Sequence, residues 1–419
     1  MNYVCIDLNN QFSQISYFNE KMKEPITLSG KIGSTRYLIP TALRKKKGLS
    51  QWFFAEEQMQ DSIVIDGLLE RALKKEEIFC DEELFDTRII FSVFIRKLLS
   101  LSAAAGCSKN NSIFVFTLEL VNEEIVNLLT SISEQLDIHD EQMRICTYEE
   151  SFANYVMNQD KNVYANEVLL YEYRPPFFKQ YRLTQDRGMI PVILSIEKRQ
   201  SFVFEEMNQL SVQTTQDELF YQVALNSLNG KVVSSIFLVG NGFDGDWMEK
   251  SKQKICQGRR VFLGQNLFSK GGCFYGKWEY DREEKKESAK YLYLSEMKSQ
   301  YNFCVLVQSN EGIIPVPLLD AGKNWQDAKG SISLILAESQ GSVSLDFVLK
   351  NLKGYTVSEY RLNLDGIANR PDKATRIKIN GWMNEKHDIH IKVSDCGFGF
   401  SYPSTGKEWE VVYEQMDIK

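Results

Sequence analysis

Residues 234–245 read SSIFLVGNGFDG, an apolar run closed by a glycine, with two further glycines before the helix-like DWMEKSKQKI. The run has the length and composition of a buried strand, so it delivers a glycine turn to a helix start. Gly240, Gly242 and Gly245 satisfy the spacing GxGxxG. A dinucleotide fold needs that spacing at the opening of a βαβ unit, with an acid at the tip of the next strand for the ribose hydroxyls. The next strand, RRVFLGQN, offers Gln265 instead. The turn is therefore read as a place where backbone closely approaches a neighbour or an adenosine, with glycine required because a Cβ would obstruct the approach.

Working outward, the amino-terminal half mixes strand and helix periods. Tyr3 to Leu8 and Gln14 to Phe18 read as two strands paired across a short polar turn. From Leu84 to Leu101 the residues Phe91, Phe94, Ile95, Leu98 and Leu99 fall on one helical face. SIFVFTLE at 112–119 is a buried strand, and Asn122 caps a helix with the stripe Ile125, Leu128, Leu129, Ile132 and Leu136. EVLLYEY (167–173), FKQYRL (178–183) and PVILSIE (191–197) read as three clustered strands, broken between the first two by Arg174-Pro175-Pro176. A helical stripe at Leu219, Phe220, Val223, Ala224 and Leu228 leads back to the glycine turn. No internal repeat is visible in the sequence.

The charge run DREEKKESAK (281–290) is taken as the boundary between domains at 1–280 and 290–419. Beyond it the helical period disappears. Ile332, Leu334, Leu336; Val343, Leu345, Phe347, Leu349; Ile377, Ile379; and Ile389, Ile391, Val393 alternate as half-buried strands do, with turns such as LKG and NRPDK between them. A β-sandwich is the economical arrangement.

Composition narrows the function. With 419 residues, 43% of them hydrophobic, the chain can fill more than one core. A net charge of −7 leaves no global field for nucleic acid or an anionic membrane surface, so neither is expected as a partner. The cluster Arg44-Lys45-Lys46-Lys47 has no interleaved aromatics and reads as a solvated hairpin tip. Eight scattered cysteines without a CxxC indicate reduced thiols, and MNYVCIDLNN has neither a basic nor an apolar leader region. A cytoplasmic location is expected. Three histidines, with His387 and His390 on opposite faces of one expected strand, give no metal site. Nucleophile elbows and the P-loop pattern are absent.

Three carboxylates sit where strands end or helices begin: Asp7, Glu150 and Glu172. Taken with the glycine turn, their order resembles the actin, sugar-kinase and heat-shock chaperone ATPase superfamily, the DnaK-like chaperones most. DLNNQFSQISYF (7–18) looks like its first phosphate hairpin, with Asp7 beside the metal and Asn9-Asn10 in place of a glycine turn. RYLIPTAL with WFFAEEQ is similar to the passage that follows it. EESFANY resembles the first connecting helix, with Glu150 matching its acid and Glu149 the alternative. IFLVGNGF resembles the adenosine turn through Gly240, Asn241 and Gly242, and NLFSKGGCFYG the second connecting helix through Gly271 and Gly272. The stretch 360–399 resembles the chaperones' substrate-binding β-sandwich, without a helical lid after it.

The resemblance implies a duplicated, ribonuclease H-like α/β ATPase fold followed by an all-β sandwich, with ATP or ADP and magnesium as ligands and Asp7, Glu150 and Glu172 as catalytic groups. The second phosphate hairpin departs from it. Glu172, Tyr173, Arg174, Pro175 and Pro176 fill the turn where the family has an aspartate and consecutive glycines. Proline has no N–H to offer a phosphate, and Cβ atoms block close approach. The expectation is a pseudo-ATPase scaffold that holds a protein or peptide partner, with room left for residual adenosine binding through Gly240 and Gly242; the alternative is an active ATP-dependent chaperone that binds peptide segments through the C-terminal β-sandwich.

Overall fold

The computed structural model describes residues 1–30, 36–203, 216–284, 289–310, 312–338 and 342–414. The chain divides into two compact units, Met1–Tyr293 and Leu294–Lys419.

The first unit opens with β1 (Asn2–Leu8), β2 (Phe12–Asn19), β3 (Glu24–Leu28) and the short β4 (Ile39–Pro40). A small excursion follows: β5 (Leu43–Lys46), β6 (Trp52–Phe54), β7 (Ser62–Ile65), α1 (Leu68–Leu73), β8 (Glu77–Cys80) and β9 (Glu83–Asp86). The basic cluster lies here and is a solvated tip only in part, at Lys46 and Lys47, which are exposed where β5 runs into its turn. Arg44, Lys45 and Lys46 are in β5 itself; the Lys45 ammonium is buried over the Trp52 and Phe85 rings and donates to the Leu49 carbonyl. Strand alternation turns Leu43 and Lys45 inward together, and the lysine stem packs as an apolar chain.

The main path resumes with α2 (Thr87–Ala104), β10 (Ser112–Leu118), α3 (Glu123–Gln135), β11 (Met143–Thr147) and α4 (Tyr148–Met157). Asp86 and Asn122 cap α2 and α3 by accepting from Arg88 N and Ile125 N, supplying partners for otherwise orphaned helix N–H groups. The second half repeats the plan with β12 (Glu167–Arg174), β13 (Phe177–Asp186), β14 (Val192–Val203), α5 (Gln216–Leu228), β15 (Val233–Val239), α6 (Glu249–Ile255), β16 (Arg260–Gly264), α7 (Leu267–Glu284) and β17 (Tyr291–Tyr293).

Two sheets result, and their central order is the same. The first runs β11-β10-β1-β2-β3 and the second β16-β15-β12-β13-β14, with β4 and β17 added at the sides. In each, the first three strands of the half are antiparallel neighbours and the next two lie parallel to the first. The duplication is one of topology, in a chain whose sequence shows no repeat. The two closing helices are exchanged. α7 lays Cys273, Phe274 and Tyr275 against Tyr3, Cys5 and Val115 of the first sheet, whereas α4 lays Phe152, Ala153 and Val156 against Val168, Leu170 and Val239 of the second. Close packing of this kind fixes the two sheets through shared cores.

Two boundaries differ from the sequence reading. Asp281–Glu284 of the charge run are the last turn of α7, Lys285–Ser288 lie outside the described residues, and β17 pairs with β14, so the first unit extends to Tyr293. His387 sits in a turn at φ 65°, ahead of the strand that carries His390.

The second unit has two four-stranded antiparallel sheets. One is β18 (Asn302–Ser309), β19 (Gly312–Leu319), β21 (Ser344–Lys350) and β22 (Thr356–Asn363); the other is β20 (Lys329–Ile335), β23 (Arg376–Met383), β24 (Ile389–Gly397) and β25 (Glu408–Tyr413). Phe303 and Phe347 of one meet Tyr413 of the other, and Leu345, Phe347, Ile377, Ile379, Ile389, Ile391 and Val393 are buried. Among the described residues no helix is long and apolar enough to cross a membrane.

Candidate functional site

The two hairpins that head the halves are built alike. Asp7 is the sixth residue of β1 and faces Gln14 in β2; Glu172 is the sixth of β12 and faces Lys179 in β13. Each turn is followed by a phenylalanine at the same offset, DLNNQF and EYRPPF. The structure brings Asp7 and Glu172 together around one cation. Arg174 Nε lies 3.0 Å from Glu172 Oε1, and Arg174 Nη2 lies 3.8 Å from Asp7 Oδ2. The Tyr148 hydroxyl donates to Asp7 Oδ1 at 2.7 Å, and the Tyr181 hydroxyl donates to Glu172 Oε2 at 2.9 Å. The guanidinium lies over the Tyr148 and Phe268 rings at 5.4 and 5.9 Å, and those rings stack at 4.0 Å.

Asp7, Glu172, Tyr148, Tyr181 and Phe268 are all buried. Burial pushes the Asp7 carboxyl up to about 6; Arg174 and the Tyr148 hydroxyl work against that rise and Glu172 adds to it. Burial also raises the Tyr148 and Tyr181 hydroxyls well above their ordinary value, so both remain donors. Burial opposes the charge on Arg174, but Tyr148, Glu172 and Asp7 outweigh it and hold the guanidinium cationic.

The first turn turns its donors inward. Asn9 Oδ1 accepts from Gln11 N at 2.8 Å and Phe12 N at 2.9 Å, the side chain capping its own turn. Asn10 points away and is tied at 3.1 Å through both amide atoms to Glu70, one through the backbone N–H and one through the carboxylate. A cavity of about 750 Å³ lies beside it, between Asn10, Thr41, Asp66 and Arg71, and its Arg71–Glu76 and Lys74–Glu70 charges are already paired.

The remaining candidates lie apart from this cluster. Gly240 has φ 105°, and a Cβ there would come within 2.2 Å of the Tyr173 carbonyl oxygen; one on Gly242 would strike the Tyr173 ring at 2.2 Å. Tyr173, with Phe178, Phe243 and Trp247 around it, fills the space the glycines leave. Asn241 is exposed at the start of a single 3-10 turn. Gly271 is a helix-crossing residue, since its Cβ would lie 2.2 Å from the Ser151 carbonyl oxygen of α4, and a Cβ on Gly272 would lie 2.3 Å from Cys5 Sγ and 2.5 Å from Thr117 Oγ1. Glu150 is buried in the first turn of α4; its N–H reaches the Thr147 cap, and its charge acts on the Tyr291 hydroxyl. Tyr148, one residue into the helix, is what meets Asp7. Gly240→Ala is expected to lower stability by about 2–3 kcal/mol, because the new methyl meets backbone at a φ that alanine resists; urea unfolding unchanged from wild type would refute this assignment of the turn to packing.

The "Family of unknown function (DUF5716) C-terminal" matches residues 24–296, more than half of the chain. The chain belongs to that family. A "Domain of unknown function (DUF8552)" matches residues 298–414. No curated protein matches the chain. The junction between the two matches falls within a few residues of the division at Tyr293, so the DUF5716 match covers most of the first unit and leaves β1 and β2, with Asp7, ahead of its start.

In this DUF5716 member the residues that complete the cluster are Tyr148, Arg174, Tyr181 and Phe268, none of which the sequence reading placed there. The shared pattern of acid, apolar residue, three turn residues and phenylalanine was the available signal, since it marks both hairpins as one device used twice.

Proposed function

We propose that this DUF5716 chain is a pseudo-ATPase of the actin and heat-shock chaperone type, serving in the cytoplasm as a scaffold that holds a protein or peptide partner. One observation carries the reading: the Arg174 guanidinium sits between Asp7 and Glu172, in the position where two carboxylates would otherwise be left to gather a cation. The repeated strand order supports the ancestry, because three antiparallel strands followed by two parallel ones, twice over, is what a duplicated ribonuclease H-like fold implies.

The residues do not fit a bound magnesium nucleotide. Arg174 neutralises the carboxylates from 3.0 and 3.8 Å, Asn9 takes up the Gln11 and Phe12 N–H groups of the first turn, and Pro175 and Pro176 offer none in the second. Phosphoryl transfer depends on such donors and on a metal to hold developing charge. No catalytic step is therefore derived for Asp7, Glu150 or Glu172.

A thermal shift series with ATP and ADP, with and without magnesium, tests the proposal. A specific ligand at about 100 Kd stabilises the native state by about 2.7 kcal/mol. The expected result is an unchanged melting curve under all conditions. A magnesium-dependent rise with ATP, together with turnover abolished by Asp7→Asn, would instead support the active chaperone-like ATPase.

A further inference from the structure

The three parallel strands of the first sheet each deliver an acid at the carboxyl end. Asp7 is the penultimate residue of β1, Glu119 follows β10, and Glu149 follows β11 at the start of α4. The carboxyl ends of parallel strands are where open α/β sheets receive ligands. Here they face cations of the same chain, all from the second half: Arg174 at the end of β12, Lys179 in β13 and Lys198 in β14.

The pairing runs in one sense. Asp7 faces Arg174 at 3.8 Å, Glu119 meets Lys179 at 2.5 Å and Lys198 at 3.6 Å, and Glu149 meets Lys198 at 3.3 Å. Burial works to raise the Glu119 carboxyl, but Lys179, Lys198 and Arg174 outweigh it and hold it below its ordinary value. Tyr181 lies beneath the row, its ring 5.6 Å from the Lys198 ammonium.

We infer that the rim, Glu119 and Glu149 from the first half with Lys179 and Lys198 from the second, forms a polarised ionic latch which, with Arg174 bridging Asp7 and Glu172 beneath it, holds the carboxyl ends of the two sheets together. The polarity matters. Like-signed groups gather on each side, so that loss of one side's charge leaves the other side repelling itself. Asp7–Arg174 is deep and poorly screened, whereas Lys179 and Lys198 form a rim that salt can reach. The inference rests on the ion pairs and not on the proposed ancestry; nucleotide binding is decided by the thermal shift series and the latch by exchange in nucleotide-free protein.

Hydrogen exchange of the full chain, followed in peptides from β13 and α4, reads the latch. In Lys179→Gln/Lys198→Gln, those amides are expected to exchange roughly tenfold faster at low ionic strength, the sum of a small network of rim pairs. Raising salt to about 0.5 M should accelerate wild type by screening its rim pairs and slow the variant by screening the repulsion between Glu119 and Glu149, so that the two converge. Glu119→Lys should open the seam on its own, and Glu119→Lys with Lys179→Glu should restore slow exchange by re-forming the pair in the opposite sense. That rescue separates a charge latch from mere packing and holds even if the glutamine variant folds poorly. Equal exchange in wild type and the glutamine variant, or failure of the swapped pair to improve on Glu119→Lys, would overturn the latch.

Discussion

Arg174→Ala is expected to destabilise the first unit by about 3–5 kcal/mol at neutral pH, the usual consequence of removing one partner from a buried charge cluster. The variant leaves the Asp7 and Glu172 carboxyl groups buried without their shared cation. The loss should depend on pH in a defined direction. In wild type the folded Asp7 carboxyl is already raised to about 6 by burial, against an ordinary value near 4. A carboxyl raised in the folded state favours folding below its unfolded pKa and loses that contribution as pH rises through the folded value. Wild type should therefore give up stability attributable to Asp7 between about pH 4 and pH 6, and Arg174→Ala should extend that decline to higher pH because the opposing cation is gone. Asp7→Asn should flatten the same interval. Hydrogen exchange protection of β1 and β12 across pH 4–8 measures wild type and the two variants against each other. If Arg174→Ala kept wild-type protection at pH 8, the guanidinium would not be what makes these carboxylates tolerable.

How far the sequence foretold this cluster follows from the range of the forces involved. Helix faces are local, so the stripe through Phe91, Phe94, Ile95 and Leu98 and the Asn122 cap could be read from spacing alone, and α2 and α3 follow them. Strand identities were also legible, because buried runs such as SIFVFTL and EVLLYEYR are short, apolar and bounded by turns. Partnership between strands was not. β12 pairs with β15 across a helix and some sixty residues, and nothing in either strand names the other. The duplication was therefore implied by the family resemblance and not by any repeat in the residues, and register equates Asp7–Gln14 with Glu172–Lys179.

The site shows the same division. Asp7 and Glu172 were legible as acids at strand ends, and Arg174-Pro175-Pro176 as a turn unfit for phosphate. That the arginine would fold back onto both acids depends on a neighbour 167 positions earlier in the chain, a contact no local pattern encodes. Glu150 is matched to the connecting helix's acid, with Glu149 as the alternative, whereas helix geometry gives the contact with Asp7 to Tyr148. The glycines at 240, 242 and 271 were recognised as places of close approach; what approaches is Tyr173 and α4.

The second unit holds a buried ion pair of a different character, and Arg370→Ala is expected to destabilise that unit by about 3–5 kcal/mol. Arg370 belongs to the turn NRPDK, which in sequence reads as solvent-facing punctuation. In the fold it is buried, donating from Nη1 and Nη2 to the two oxygens of Asp395 at 2.8 Å each and from Nη2 to the Pro403 carbonyl at 2.8 Å. Asp395 also accepts from Gly397 N, Thr405 N and the Thr405 hydroxyl, so one carboxylate joins the turn, β24 and the loop before β25. A two-pronged guanidinium–carboxylate pair with every remaining lone pair engaged is the geometry in which a buried charge is best compensated. Arg370, then the Thr405 and Gly397 donors, hold the Asp395 carboxyl well below the usual carboxylate range against the opposing effect of burial. The sign is opposite to that at Asp7. A carboxyl lowered in the folded state stabilises above its unfolded pKa and loses that contribution as pH falls through the folded value, so acid should loosen this unit from about pH 4 downward. Arg370→Ala should show a shallower acid dependence, since the depression of Asp395 has lost its largest cause. Replacing both charges, Arg370→Met with Asp395→Asn, should cost less than Arg370→Ala alone, because no unpaired charge remains buried while the amide oxygen still accepts from Gly397 N. Peptide-resolved hydrogen exchange of β23 and β24 between pH 3 and 7 orders the three proteins. A single variant no less stable than the double would mean that the pair acts by packing rather than by charge.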